Sequence, residues 1–234
     1  MRGLGTLVNV ATVLAGTAVG LVAGRRVPDR MRETVLSGIG LLTIGVGIAS
    51  FLATENAVFP VVSIVIGGVI GESLRLDDRL ERAGERLRLL AERGRTDLGH
   101  SRFVEGFVTA TLTFCVGALT IVGSLQDGIS GDAQLLIVKA ALDGIVAVVY
   151  TAVFGIGVAF SAVSILVLQG LVTGLGIIVG DNLLDDRMVA EMEATGGPMI
   201  VGIGLLLLNI KRIRLASLLP GLAVAPVLVA IFAT

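Results

Sequence analysis

Residues 134–180 read QLLIVKAALDGIVAVVYTAVFGIGVAFSAVSILVLQGLVTGLGIIVG, and the two charged side chains in this apolar stretch are Lys139 and Asp143. A bilayer core about 30 Å thick is crossed by about 20 mostly apolar helical residues. The stretch is therefore long enough for two membrane-spanning helices, with Gly155-Ile156-Gly157 as the hinge between them. A single long helix is the alternative, and it would reduce the number of spans in the chain from eight to seven.

The same apolar character extends over the rest of the chain. Of the 234 residues, 54% are apolar, and the mean hydropathy is +0.95, whereas a soluble domain has roughly 45–50% apolar residues. The sequence thus predicts an all-α, polytopic integral membrane protein embedded in the lipid bilayer. The predicted spans are 4–24, 34–54, 57–74, 104–125, 134–153, 157–180, 197–210 and 215–233.

Basic residues are concentrated in three of the gaps between these spans. Positive charge favours cytoplasmic loops, and with eight spans all three gaps fall on one side, whereas the acidic loops 127–132 and 181–193 and both termini fall outside. Seven spans would move the last basic block to the opposite side, so eight are favoured. The three blocks hold 15 of the 18 Lys and Arg residues: Arg25, Arg26, Arg30 and Arg32; Arg75, Arg79, Arg82, Arg86, Arg88, Arg93, Arg95 and Arg102; and Lys211, Arg212 and Arg214.

An internal repeat relates the two ends of the chain. A shift of 157 positions places Asp29-Arg30-Met31 on Asp186-Arg187-Met188, and Gly40, Gly45 and Gly47 on Gly197, Gly202 and Gly204. The same shift maps spans 1–3 onto spans 6–8 with reversed direction, a plan common in transporters. Chance similarity between glycine-rich helices is the alternative. The predicted segments are a first repeat at 1–74, a cytoplasmic helix and link at 75–102, two intervening spans at 103–156 and a second repeat at 157–234.

The link after the third span is predicted to contain an amphipathic helix. Apolar residues recur there at steps of four and three among Arg and Glu, at Leu76, Leu80, Ala83, Leu87 and Leu90. We expect this helix to lie along the cytoplasmic face of the membrane or to pair with itself. A regulatory or lipid-sensing role is the alternative.

Polar side chains in and beside the spans form the candidate site. Lys139 and Asp143 are four residues apart on one helical face and can pair; a charge at membrane depth costs about 2.5–3.5 kcal/mol, so it faces a partner or a water-filled cavity. The turn at 123–132 can bind a cation through oxygen ligands or cap the next helix. The candidate substrate or ion path comprises Asn9, Glu72, Glu105, Gln126, Asp127, Asp132, Lys139, Asp143, Gln169 and Asn209.

Motifs for catalysis and cofactor binding are absent from the sequence. One His, one Cys and no phosphate-binding Gly-Lys-Ser/Thr loop predict no catalytic residues, no metal site and no cofactor. The net charge of −1 argues against a nucleic-acid partner. Cys115 is predicted to be a small buried apolar residue.

Several short segments together resemble a known bacterial family. They are Gly5-Thr6-Leu7-Val8-Asn9, Gly71-Glu72 with Leu76-Asp77-Asp78-Arg79-Leu80-Glu81, Phe103-Val104-Glu105-Gly106-Phe107, Gly123-Ser124-Leu125-Gln126-Asp127-Gly128, Leu142-Asp143-Gly144, Gln169-Gly170 and Ala194-Thr195-Gly196-Gly197. Nearly end to end, the chain resembles the multi-pass membrane proteins catalogued as domain of unknown function 554. The resemblance implies a protein of the bacterial plasma (inner) membrane, described at most as a candidate transporter, with no established substrate.

These observations favour a transporter or channel for a small solute or ion. The alternative is a non-transporting membrane scaffold or sensor that acts through its cytoplasmic amphipathic helix. An enzyme is not predicted, because intramembrane catalysis needs a clearer set of paired acids or bases. Small-residue faces also suggest a homodimer, and they lie at Gly16, Gly20 and Gly24 and at Gly67, Gly68 and Gly71.

Overall fold

A computed structural model describes residues 2–24, 28–91, 100–116, 118–179 and 185–232, and within these ranges every regular element is helical. The predicted all-α class is therefore confirmed. The predictions for Arg25, Arg26, Arg93, Arg95 and for 181–184 lie outside the described residues. The helices are α1 (Leu4–Gly24), α2 (Asp29–Phe51), α3 (Val58–Ser73), α4 (Leu76–Ala91), α5 (His100–Cys115), α6 (Ala118–Ile129), α7 (Gln134–Phe154), α8 (Ser161–Val179), α9 (Asp186–Leu207) and α10 (Pro220–Phe232), with 3₁₀ segments at Gly155–Phe160 and Leu215–Leu218.

Four helical stretches of the described chain are long and apolar enough to cross a membrane, or up to six if each of two bent helix pairs counts as one span. The prediction of eight spans is therefore not confirmed. One reason is that α3 and α5 have 16 residues each, fewer than about 20. The four stretches are Leu4–Gly24, Glu33–Phe51, Gln134–Ile178 and Leu215–Phe232.

Two predicted spans have different bounds from those expected. The predicted span 104–125 is broken after Cys115, where Arg102–Cys115 and Leu119–Ile129 meet at a bend of 60°. The predicted span 197–210 starts earlier, because α9 begins at Asp186 and the Asp185 carboxylate accepts a hydrogen bond from Met188 N.

Two predicted loops also proved to be partly helical. Residues 186–193 of the predicted acidic loop belong to α9. Likewise Gln126 and Asp127 lie in α6, which continues to Ile129. The predicted amphipathic segment 76–90 is a helix, α4, as expected.

The chain divides into two compact units. The first contains Met1–Arg32, Leu80–Cys115 and Leu119–Asp181. The second contains Glu33–Arg79, Val116–Ala118 and Asn182–Thr234.

In the first unit, the chain reverses direction between α7 and α8, and both helices contact α5. Gly155, with φ of +81°, ends α7 at the predicted hinge. Along α5, Gly106 lies against Phe154 and Thr113 against Tyr150, so the contacts run backward along α7. Gly106 also lies against Val158 of the 3₁₀ segment and Thr111 against Ser164 of α8, so on this side the contacts run forward. The Gln134–Ile178 stretch therefore reverses direction in the 3₁₀ segment.

Helix α1 packs closely along α7 in the same unit. A Cβ at Gly16 would lie 3.1 Å from the Gly144 carbonyl carbon, and one at Gly24 would lie 2.8 Å from the Ala152 Cα. Residue numbers increase in the same direction along the two contacting faces, so α1 runs parallel to α7. Because the chain reverses between α7 and α8, α1 runs antiparallel to α8. This small-residue face, on which the homodimer prediction partly rested, is used within the chain.

In the second unit, α2 packs antiparallel to α9, and α3 packs antiparallel to α10. A Cβ at Gly47 would lie 2.6 Å from the Gly197 carbonyl oxygen, and one at Gly204 would lie 2.7 Å from the Gly40 carbonyl oxygen. Along the other pair, Gly67 lies against Gly221 and Gly71 against Ser217. Glycine allows these helix backbones to approach closely.

Candidate functional site

Lys139 and Asp143 form a buried ion pair on α7. Their residues are 6% and 7% exposed, and the Lys139 ammonium donates to Asp143 Oδ2. The spacing of four residues places the two side chains one helical turn apart, as the sequence suggested. The pair has no formal net charge, which lowers the cost of burying it.

The broken helix α5–α6 supplies a backbone acceptor to this pair. Lys139 Nζ donates to the Phe114 carbonyl oxygen at 2.8 Å, and Thr120 Oγ1 donates to the same oxygen at 3.1 Å. Carbonyls in the last turn of a helix lack intrahelical partners, so the interruption after Cys115 makes this acceptor available. The bend that sequence analysis missed is thus part of the site.

Asn9 brings α1 into the same cluster. Its Nδ2 donates to Asp143 Oδ2 at 3.0 Å, and the residue is fully buried. Because the amide nitrogen faces the carboxylate, Oδ1 points elsewhere and has no partner within the described structure. Three elements therefore converge on one carboxylate and one ammonium: α1, the end of α5, and α7.

The first unit also contains buried polar atoms that have no hydrogen-bond partner in the described structure. Gln169 is fully buried, and neither its Oε1 nor its Nε2 has a partner. Such atoms are costly in a dry interior. The others in this unit, besides Asn9 Oδ1, are Thr6 Oγ1, Thr109 Oγ1 and Thr173 Oγ1.

The predicted oxygen-rich turn is used for helix capping in this structure. The fully buried Asp127 accepts hydrogen bonds from Gly3 N and Gly5 N at 3.1 Å each, at the start of α1. The exposed Asp132 accepts from Gln134 N at 3.0 Å, at the start of α7. Gln126 is half-buried on α6. This part of the sequence holds helix ends in place.

Three other predicted path residues are exposed. Glu72 accepts from Arg214 Nη1 at 2.5 Å and from Ser217 Oγ at 3.3 Å. Glu105 lies on the exposed side of α5. Asn209, with φ of +55°, is exposed just beyond the end of α9. The left-handed backbone that Asn tolerates gives it a role in ending the helix.

Glu191, in the second unit, is a buried acid that the sequence analysis placed in a loop. It is fully buried, and both carboxylate oxygens accept from Thr54 Oγ1, at 2.7 and 2.8 Å. One sequence feature pointed to its burial: Glu191 lies four residues before Thr195, in the partly apolar segment 190–207.

The chain belongs to the family described as "Protein of unknown function (DUF554)", which matches residues 4–230, so the resemblance is confirmed. It is 28% identical over 222 residues to "Uncharacterized protein YqgA" of Escherichia coli (strain K12), covering 95% of this chain and 94% of the relative. It is 27% identical over 229 residues to "Uncharacterized membrane protein YdfK" of Bacillus subtilis (strain 168), covering 96% and 95%. No solved structure matches. The apolar helices and the name of the Bacillus relative both indicate a membrane protein.

Proposed function

We propose that this DUF554 protein is a transporter or channel for a small solute or ion in the bacterial plasma membrane. The observation that carries the proposal is the buried cluster of Lys139, Asp143 and Asn9 at the end of the broken helix α5. Transporters commonly place their binding sites where an interrupted helix exposes backbone carbonyls at membrane depth. Ionisable residues inside a membrane domain most often serve transport or coupling.

Helix directions within each unit support the inverted repeat on which this proposal also rests. The 157-residue shift equates Gly40 with Gly197 and Gly47 with Gly204. In the structure these glycines meet crosswise, Gly40 with Gly204 and Gly47 with Gly197. If α2 and α9 descend from one ancestral helix, a two-fold relation between them requires this reciprocal pairing. The α1–α8 and α3–α10 pairs are antiparallel as well, as the repeat predicts.

The proposed topology follows the positive-inside rule. The Arg-rich segments are cytoplasmic, the termini are outside, and the chain crosses the membrane several times. In this arrangement α4 lies at the cytoplasmic surface. There Gly84 packs against Phe107 of α5, with a Cβ at Gly84 falling 2.7 Å from the ring.

Flux through purified protein in liposomes tests the proposal. Wild-type protein should carry at least one member of a panel of monovalent cations, divalent cations, anions and small neutral solutes. The double variant Lys139→Met with Asp143→Leu should remain folded and extractable and lose that flux. If the double variant carries the solute at the wild-type rate, the pair is structural. If the wild-type protein shows no flux at all, the result favours the scaffold or sensor.

A further inference from the structure

We infer that a small, uncharged, hydrogen-bonding solute binds between α1 and α8, in a polar cradle formed by Thr6, Asn9, Gln169 and Thr173. The inference rests on the proposed transport function and specifies the chemical class of the substrate. These residues carry buried side-chain atoms that have no hydrogen-bond partner among the described residues.

The register of the two helices places the four residues at the same end of the α1–α8 pair. Gly5, at the start of α1, and Thr173, near the end of α8, both lie beside the Asp127–Gly128 dipeptide: a Cβ at Gly5 would be 3.2 Å from Asp127 Oδ2, and one at Gly128 would be 3.0 Å from the Thr173 carbonyl carbon. Asn9 lies about one turn beyond Gly5. Gln169 lies one turn before Thr173, and since the helices are antiparallel, both steps lead in the same direction.

All four residues are buried, at 0–5% exposed. Five of their atoms have no hydrogen-bond partner in the part of the chain that the structure describes: Thr6 Oγ1, Asn9 Oδ1, Gln169 Oε1, Gln169 Nε2 and Thr173 Oγ1. Each such atom in a dry interior costs free energy comparable to a lost hydrogen bond. A polar molecule bound between the two helices would satisfy these five atoms during the working cycle.

The chemistry of these atoms favours a neutral solute over an ion. Gln169 Nε2 is a donor and cannot ligate a cation. Asn9 Oδ1 and Gln169 Oε1 are acceptors and cannot donate a hydrogen bond to an anion. The nearby charges, on Lys139 and Asp143, already neutralise each other. An ion in the cradle would have no compensating charge, which is expensive in a buried site. A molecule with both hydroxyl or amide donors and acceptors meets neither difficulty.

Solute flux in liposomes tests the inference, with glycerol and acetamide as neutral probes, Na⁺ and K⁺ as ionic probes, and water as a third arm. Wild-type protein should accelerate entry of glycerol or acetamide. In Gln169→Leu and Thr173→Val the protein-mediated rate should fall about tenfold, the effect of losing roughly one hydrogen bond. Both variants remove groups that have no hydrogen-bond partner within the described ranges, so they should fold at least as well as wild type.

The matched control is Thr151→Val, a buried isosteric change on α7. Thr151 Oγ1 donates to Thr17 Oγ1 at 3.3 Å, so this variant should lower stability slightly and leave solute flux unchanged. Ion flux without neutral-solute flux would overturn the cradle while leaving the transport function intact. Flux of water alone, or unchanged solute flux in both cradle variants, would also overturn it. Absence of all flux would overturn both proposals.

Discussion

Separate and joint removal of Lys139 and Asp143 should reveal strong coupling between them. Breaking a buried ion pair by removing one partner typically costs about 3–5 kcal/mol, because the surviving charge is left uncompensated, whereas replacing both is far milder. We therefore expect the free energy of unfolding to fall more in each single variant than in Lys139→Met with Asp143→Leu.

The neighbours of the pair predict which single change is worse. Asp143→Leu leaves the Lys139 ammonium with the Phe114 carbonyl and also removes the acceptor of Asn9 Nδ2, adding about 1–3 kcal/mol for an unsatisfied buried donor. Lys139→Met leaves Asp143 with the Asn9 amide, and Phe114 O keeps Thr120 Oγ1. We therefore expect Asp143→Leu to lower the free energy of unfolding by about 5 kcal/mol or more, and Lys139→Met to lower it by about 3 kcal/mol.

In the double variant, the free energy of unfolding should fall only by the cost of leaving the Asn9 amide without its acceptor, about 1–3 kcal/mol. Denaturant unfolding of detergent-purified protein measures all three differences. The reasoning is refuted if the double variant is destabilised by the sum of the two single effects, since that result means that the two side chains act independently.

Three further predictions concern topology and packing. In a Cys115-free background, cysteines at Arg30, Arg88 and Arg212 should be labelled only from the cytoplasmic side and those at Asp132 and Asp186 only from outside; opposite labelling of Arg30 and Arg212 would contradict the proposed topology. Gly47→Ala should cost about 1–3 kcal/mol through overpacking, because its Cβ would meet the Gly197 carbonyl, whereas Gly45→Ala, with nothing within 4 Å, should be neutral or slightly stabilising in the same denaturation assay. Thr54→Val should destabilise by about 1–3 kcal/mol, since Glu191 loses its donor, and an equal effect of the exposed Ser37→Ala change would remove that explanation.

Sequence periodicity and hydropathy predicted the helical elements well. Long apolar segments identify membrane helices without tertiary information, as α1 and α7 show. The reason is that backbone hydrogen bonds in lipid must be satisfied within each segment. The Gly155 hinge was also readable, because an apolar stretch of this length exceeds the thickness of a bilayer.

The break after Cys115 could not be predicted from hydropathy, because the residues on both sides are apolar. In the structure, the Phe114 carbonyl at the end of α5 accepts hydrogen bonds from Lys139 and Thr120, and hydropathy does not encode these contacts. Periodicity also gave no reason to connect Asn9 with Asp143, which are brought together by glycines that admit α1 to α7. The role of Asp127 was ambiguous for a related reason, because the same carboxylate can bind an ion or cap a helix, and only the position of Gly3 and Gly5 decides.

Water access to the interior of the first unit tests the central claim most directly. Thr6→Cys is a small change at a buried position whose hydroxyl has no partner within the described structure, and it can be made in a Cys115→Ala background. The proposed solute path includes this position and must open it to water, so membrane-impermeant thiol reagents should label Thr6→Cys in sealed vesicles. The buried apolar control Val229→Cys on α10 should stay unlabelled. Labelling of neither position in folded protein would contradict transport through this unit and would favour a sealed scaffold.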